Sequence, residues 1–180
     1  MDLNDFASVV LPDRVYFGCM PNQQQLELLK EKKFKYIINV MSDAEKNRFT
    51  YPLSPSTLSM HLLVFPIPDQ RVPLHAQHFL RWIAYLGNIV VKMNTHEKMY
   101  IHCRGGHGRS GLVAGCLLYW YWKIHCSKAL TGEECIQQLT TAHCQRKILN
   151  PKYLVQNCPV AKCQQQFLKS IEKFEKLWVK

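Results

Sequence analysis

Met99-Tyr100-Ile101-His102-Cys103-Arg104-Gly105-Gly106-His107-Gly108-Arg109-Ser110-Gly111-Leu112-Val113 is the stretch on which the reading of this chain turns. Met99 to His102 has the length and apolar character of a buried strand, three clustered glycines follow, and Leu112, Val113, Cys116, Leu117 and Trp120 then recur as an apolar helix. A strand entering a helix through such a turn aims successive backbone amides at one point, and the helix amino end adds partial positive charge there. That is a socket for a tetrahedral anion. Glycine lets the ring close tightly and keeps Cβ atoms away from the anion.

The side chains in the socket add chemistry. Cys103 lies at its base among inward-pointing donors and beside a cation, the conditions that favour a thiolate over a thiol. Arg109 can fold back over the same oxygens and bond them in pairs, which a lysine cannot do. One other phosphate loop is excluded, since Arg109 stands before Ser110 where a nucleotide-binding loop needs lysine. Gly106, Gly108 and Gly111 do have the G-x-G-x-x-G spacing, and Cys103, Arg109 and Ser110 at fixed offsets are what set this loop apart from a dinucleotide-binding one.

Outward from this stretch, strands and helices alternate. Val15 to Phe17 reads as a short strand, Gln23 to Lys32 as a helix with Leu26 and Leu29 inward, and Tyr36 to Val40 as a strand covered on both faces. Ser42 to Ser59, with Pro52 and Pro55, reads as an irregular excursion, and Leu62 to Phe65 as the next strand. Pro73 suits a first helical turn, with Phe79, Trp82, Ile83, Leu86 and Val90 continuing the period to about Met93. Thr131 to Glu134 has capping-box spacing and opens a helix to about His143. Phe167, Ile171, Phe174 and Trp178 lie on one stripe of a terminal helix beginning near Val160. The expected fold is α/β, a mostly parallel central sheet flanked by helices, in a single domain over residues 1–180.

Composition narrows the class. With 180 residues, 47% of them hydrophobic, the chain can bury one good core. The net charge of +10 raises the local concentration of anionic partners. Much of that surplus sits in Arg146, Lys147, Lys152, Lys162, Lys169, Lys173, Lys176 and Lys180, read as a solvated helix face. Eight cysteines without a secretory leader read as free thiols, and Leu112 to Trp122 is about half of the roughly 20 apolar residues a membrane span needs. An intracellular, cytoplasmic protein is expected, with no metal: paired Cys-x2–4-Cys knuckles are missing except for the approach of Cys158 and Cys163.

His-Cys-x5-Arg-Ser-Gly resembles the signature of the cysteine-dependent protein tyrosine phosphatase superfamily, and the short length resembles its dual-specificity branch. The resemblance implies a protein tyrosine phosphatase-like fold, no cofactor, and phosphorylated proteins as substrates and partners. It implies that Cys103 is the nucleophile, Arg109 the phosphate clamp, and Arg104, Gly105, Gly106, His107 and Gly108 the rest of the phosphate-binding loop. Ser110 would bond the Cys103 sulfur, and His102 would organise the loop from a buried position. Asp69, in Phe65-Pro66-Ile67-Pro68-Asp69, matches the general acid of the upstream loop and is the only acidic residue between Glu45 and Glu97. A glutamine opening the last helix would lie near the site, with Gln164, Gln165 and Gln166 all eligible. Arg104 and His107 would make a basic rim, which keeps phosphoinositides, inositol phosphates and RNA 5′-triphosphates as alternatives to phosphoprotein. A non-catalytic phosphate-binding module is the competing class. Lys46-Asn47-Arg48-Phe49 resembles the phosphotyrosine-recognition segment of the larger tyrosine phosphatases but lies too near the signature, and is set aside.

Overall fold

The structure, a computed structural model, describes residues 1–51 and 59–178. Five strands form one sheet: β1 (Ala7–Leu11), β2 (Val15–Gly18), β3 (Phe34–Asn39), β4 (His61–Val64) and β5 (Lys98–His102), in the order β1-β2-β5-β3-β4. β2, β5, β3 and β4 run parallel, and β1 pairs antiparallel with β2 at one edge. The expected α/β architecture with a mostly parallel sheet is present. The β1 hairpin is an addition, because Ala7–Leu11 carries no alternation and its short turn at Asp13 uses a non-glycine residue at φ 57°.

Helices α1 (Gln23–Glu31), α2 (Asp43–Lys46), α3 (Ala76–Lys92), α4 (Arg109–Tyr119), α5 (Gly132–Cys144) and α6 (Lys162–Lys169) flank the sheet. Their ends follow local chemistry. Asn22 and Thr131 cap α1 and α5 by accepting the backbone N–H of Gln25 and Glu134. Every residue of α4 is buried, and its last turn widens into a π-helical segment over Trp120–His125. No helix among the described residues is long and apolar enough to cross a membrane.

Three expectations change. The span from Ser42 is not wholly irregular: a Ser42/Glu45 capping box nucleates α2, while Pro52 and Pro55 lie outside the described residues. Pro73 precedes α3 rather than opening it, and His75 holds the N-cap position. The terminal stripe is broken: α6 ends at Lys169 and the chain resumes as a 3-10 helix over Ile171–Leu177. Ser170 turns its hydroxyl back to the carbonyls of Gln166 and Phe167, competing with the helical ladder. Ile171 and Trp178 remain buried across the break.

Two hydrophobic clusters lie on either face of the sheet. The larger joins Phe17, Ile38 and Ile101 to α3, α4 and α5; the smaller joins Tyr16, Ile37 and Tyr100 to α1. Central β5 is therefore clamped from both sides, and the loop leaving its carboxyl end is held on a rigid base. The glycine-rich loop grows from that end.

Candidate active site

Residues 103–108 curl between β5 and α4, and Gly106 carries the curl. Its φ of +76° is one that side-chain-bearing residues rarely adopt, and an added Cβ would fall 2.4 Å from the Cys19 amide nitrogen. The curl brings the Gly106 N–H to within 3.3 Å of Cys103 Sγ, and Ser110 Oγ lies 3.4 Å from the same sulfur. Cys103 is 3% exposed, at the floor of a cleft of about 470 Å³ lined also by Asp69, Arg104, Gly105, His107, Gly108, Arg109, Tyr153 and Gln164.

Arg109, the first residue of α4, lies beside that floor, its side chain 3% exposed. Glu45 of α2 grips it with both carboxylate oxygens, Oε1 at 2.8 Å from Nη2 and Oε2 on Nη1. Nη1 also donates to the Ile67 carbonyl at 3.3 Å, and Asp69 Oδ1 is 2.9 Å from Nη2. Burial opposes the guanidinium charge, but Glu45, Cys103 and Asp69 together push the pKa of Arg109 up. The Arg109 bond in turn holds the Glu45 carboxyl down at about 2, helped by Ser42 against partial burial. Glu45 is one site residue that sequence reading missed. The Ser42-x-x-Glu45 capping spacing was its one visible signal, and it marked a helix rather than a partner for Arg109.

The remaining residues sort themselves by contact. His102 is fully buried, with Nδ1 3.2 Å from the Cys103 carbonyl and Nε2 2.5 Å from Tyr51 Oη. Burial, with a smaller contribution from Arg109, lowers its pKa to about 4, so it is a neutral strut. Among the three glutamines, Gln164 is the buried one and lines the cleft. Its Nε2 donates to the Arg71 carbonyl at 2.8 Å, and its Oε1 has no hydrogen-bond partner among the described residues. Gln165 turns away to the carbonyls of Pro159 and Val160, and Gln166 is exposed.

A family model described as the dual specificity phosphatase catalytic domain matches residues 15–138, a span that runs from β2 into the first half of α5 and includes this whole loop. The chain belongs to the dual-specificity phosphatase family. Two viral proteins named as tyrosine phosphatases are similar: 197R of Invertebrate iridescent virus 6, 35% identical over 74% of this chain and 47% of its own length, and 067L of Invertebrate iridescent virus 3, 33% identical over 69% and 50%. The chain thus spans about half the length of the curated relatives it matches. Among solved structures, kinase associated phosphatase shares the fold, with a TM-score of 0.69 at 19% identity over 97% of this chain and 96% of that one.

Against that family background, two basic residues of the loop depart from expectation. His107 does not add charge to the rim. Burial, then the charges of Arg146 and Lys152, lower its pKa to about 4. Arg104 is exposed and lies over the Phe49 ring, 4.4 Å from its centroid. Arg146, read from sequence as part of a solvated face, is 6% exposed and supports the loop from behind. It donates to the carbonyls of Gly106 at 2.9 Å and Phe17 at 3.0 Å and to Ser8 Oγ at 2.6 Å. Three acceptors converging on one planar fork explain why a cation is buried there.

Proposed function

We propose that the protein is a phosphatase that hydrolyses phosphomonoesters through a phosphocysteine intermediate, acting on phosphorylated tyrosine and serine or threonine of proteins. The observation that carries this reading is the Cys103 sulfur held by Gly106 N–H and Ser110 Oγ inside a loop closed by Arg109, with Asp69 at the same guanidinium.

The donor count on Arg109 suggests how substrate engages. Three of its four Nη hydrogens are bonded, two to Glu45 and one to the Ile67 carbonyl, while Asp69 pairs with Nη2 by charge. The second Nη2 hydrogen and the Nε hydrogen have no hydrogen-bond acceptor among the described residues. A phosphate can accept a paired bond from Nε and Nη2 if Asp69, 64% exposed and the least confined partner, gives way. Entry of the dianion thus releases Asp69 toward the leaving oxygen. Glu45 keeps the guanidinium in place throughout and acts as a positioning residue.

Cys103 then attacks phosphorus as the thiolate. The S–P bond forms as the P–O bond breaks, the loop amides and Arg109 stabilise the equatorial oxygens, and Asp69, having taken up a proton from solvent once phosphate displaces it from Arg109, gives that proton to the leaving oxygen. Gln164 Oε1, with its amide nitrogen tied to Arg71, is an acceptor for the water that follows. That water attacks phosphorus, passes its proton to the Asp69 carboxylate, and releases inorganic phosphate and the Cys103 thiolate, which Ser110 stabilises. With His107 neutral and Arg104 held over the Phe49 ring, the cleft favours a singly phosphorylated protein side chain over polyphosphates, whose extra charge would need a more basic rim.

The test is phosphate release by the purified chain from phosphopeptides, phosphoinositides and triphosphate-ended RNA, repeated with Cys103→Ser. Release from phosphopeptides, abolished in the variant while phosphate binding is retained, is expected. Undiminished hydrolysis by Cys103→Ser would overturn the nucleophile assignment.

A further inference from the structure

His107 Nδ1 lies 2.8 Å from Nε2 of His143, a fully buried residue of α5. Tyr153 stacks on His107 with centroids 3.7 Å apart, and the Phe17 ring lies nearly parallel to His143 at 6.3 Å. The far edge of the His107 ring lies along the cleft over Gly105: a Cβ on that glycine would sit 3.1 Å from Cδ2 and 3.5 Å from Nε2 of His107. This imidazole therefore connects a buried partner to the wall of the substrate site.

One proton lies between the two rings, and its ownership fixes both outer nitrogens. If His107 donated from Nδ1, His143 would carry its own proton on Nδ1, which has no hydrogen-bond partner among the described residues. A buried N–H without an acceptor is rarer and more costly than an under-used acceptor. The same tautomer would turn a bare lone pair of His107 toward an anion. With His143 donating from Nε2, the unpartnered Nδ1 is only an unused acceptor, and His107 presents Nε2–H to the cleft. Both ends favour the second arrangement. The surrounding groups, Arg146, Lys152, Tyr153 and the Cys158 thiol that meets the His107 carbonyl at 3.5 Å, supply no carboxylate to stabilise an imidazolium.

We propose that His143 is a positioning residue that holds His107 as its Nε2–H tautomer, so that the phosphate loop offers the substrate a neutral N–H donor at its rim. The identity of the acceptor, an oxygen of the bound phosphorylated substrate, rests on the phosphatase reading. The donor adds a directional bond without adding charge, which suits a loop whose cation is already placed at Arg109.

The resting tautomer is readable by long-range proton–nitrogen NMR of the full chain at neutral pH, before and after adding inorganic phosphate. The expected result is a protonated Nε2 and an unprotonated Nδ1 on His107, with the Nε2–H signal moving on phosphate addition. A His107 protonated on Nδ1, or a signal unmoved by saturating phosphate, overturns the proposal. His143→Phe keeps a ring in the pocket but removes the donor; it should mix the His107 tautomers and raise KM for a phosphotyrosine peptide roughly 3–10-fold, the scale of one hydrogen bond, with kcat nearly unchanged. His143→Gln, whose amide N–H can stand in for Nε2–H, should restore both. An unchanged tautomer and KM in His143→Phe, or no rescue by His143→Gln, also overturns it. Should either variant fail to fold, the wild-type tautomer decides. Because that spectrum needs no turnover, a chain that hydrolyses none of the tested substrates would end the phosphatase reading while leaving this measurement to stand separately.

Discussion

Arg109 and His107 are neighbours in one loop, yet one is kept charged and the other neutral. Around Arg109 stand Glu45 and Asp69, two carboxylates within hydrogen-bond reach. Around His107 stand His143, Tyr153 and the buried Arg146, with no carboxylate in contact among the described residues. The first environment repays the desolvation of a cation with ionic bonds; the second withholds repayment, so the imidazoles stay uncharged. The contrast teaches that a basic residue type in a phosphate loop does not by itself specify a positive rim. Charge is concentrated at Arg109, beside the cleft floor formed by Cys103.

The sharpest way to break the charged side is at its exposed carboxylate. Asp69→Asn should lower kcat/KM roughly 10²–10⁴-fold on phosphoserine or phosphotyrosine peptides. The loss should be much smaller on an aryl phosphate whose leaving group is already acidic. Equal losses on good and poor leaving groups would leave Asp69 as a loop-shaping partner of Arg109 only.

A smaller effect is expected at Glu45. Glu45→Gln keeps the side chain's shape but replaces a paired ionic contact with one neutral acceptor, so Arg109 should lose its fixed orientation. A fall in kcat/KM of about ten- to a hundredfold is expected, shared by good and poor leaving groups alike, in contrast to Asp69→Asn. Steady-state kinetics on the same substrate pair separates the two carboxylates. An unaltered rate would confine Glu45 to capping α2.

The mildest probe compares the two sides through pH and stability. Unfolded histidines take up protons near pH 6.5, whereas His102 and His107 do so only near 4 and His143 near 3 in the folded protein. The unfolded state therefore binds more protons between about 6.5 and 3, and stability should fall as pH drops through that window, by on the order of 1–3 kcal/mol per histidine. Glu45, lowered to about 2, contributes stability that is present above its ordinary value of 4.5 and lost as pH falls from there toward 2. Urea denaturation at stepped pH should show His143→Gln flattening the upper window and Glu45→Gln the lower one. Identical slopes in wild type and His143→Gln would show that the His107–His143 pair is not held neutral.

How far the sequence could be read follows from how far each determinant reaches along the chain. The loop, its strand and its helix were legible because their determinants are local: strand-length apolar residues, glycines at the turn, and Cys103, Arg109 and Ser110 within a few positions of one another. Asp69 was legible by resemblance and by being the sole acidic residue of a long span. Glu45, His143, Tyr153 and Arg146 were not legible as site residues. A glutamate in a capping box and an arginine in a basic stretch look the same whether they face water or a buried partner.

What the sequence determined by itself, then, is the glycine-rich turn with Cys103 at its base, since a short-range turn can be specified by neighbouring residues alone. Only the tertiary structure decided which charges survive inside the cleft. Protonation depends on burial and on partners brought in by other elements: α2 delivers Glu45 to Arg109, α5 delivers His143 to His107, and Arg146, two residues past the end of α5, anchors the loop from beneath. Those approaches span distances along the chain that no local pattern encodes. They exist because the parallel sheet gathers the carboxyl ends of β2, β3 and β5 at one edge of the core, and the segments that leave those ends close around Cys103.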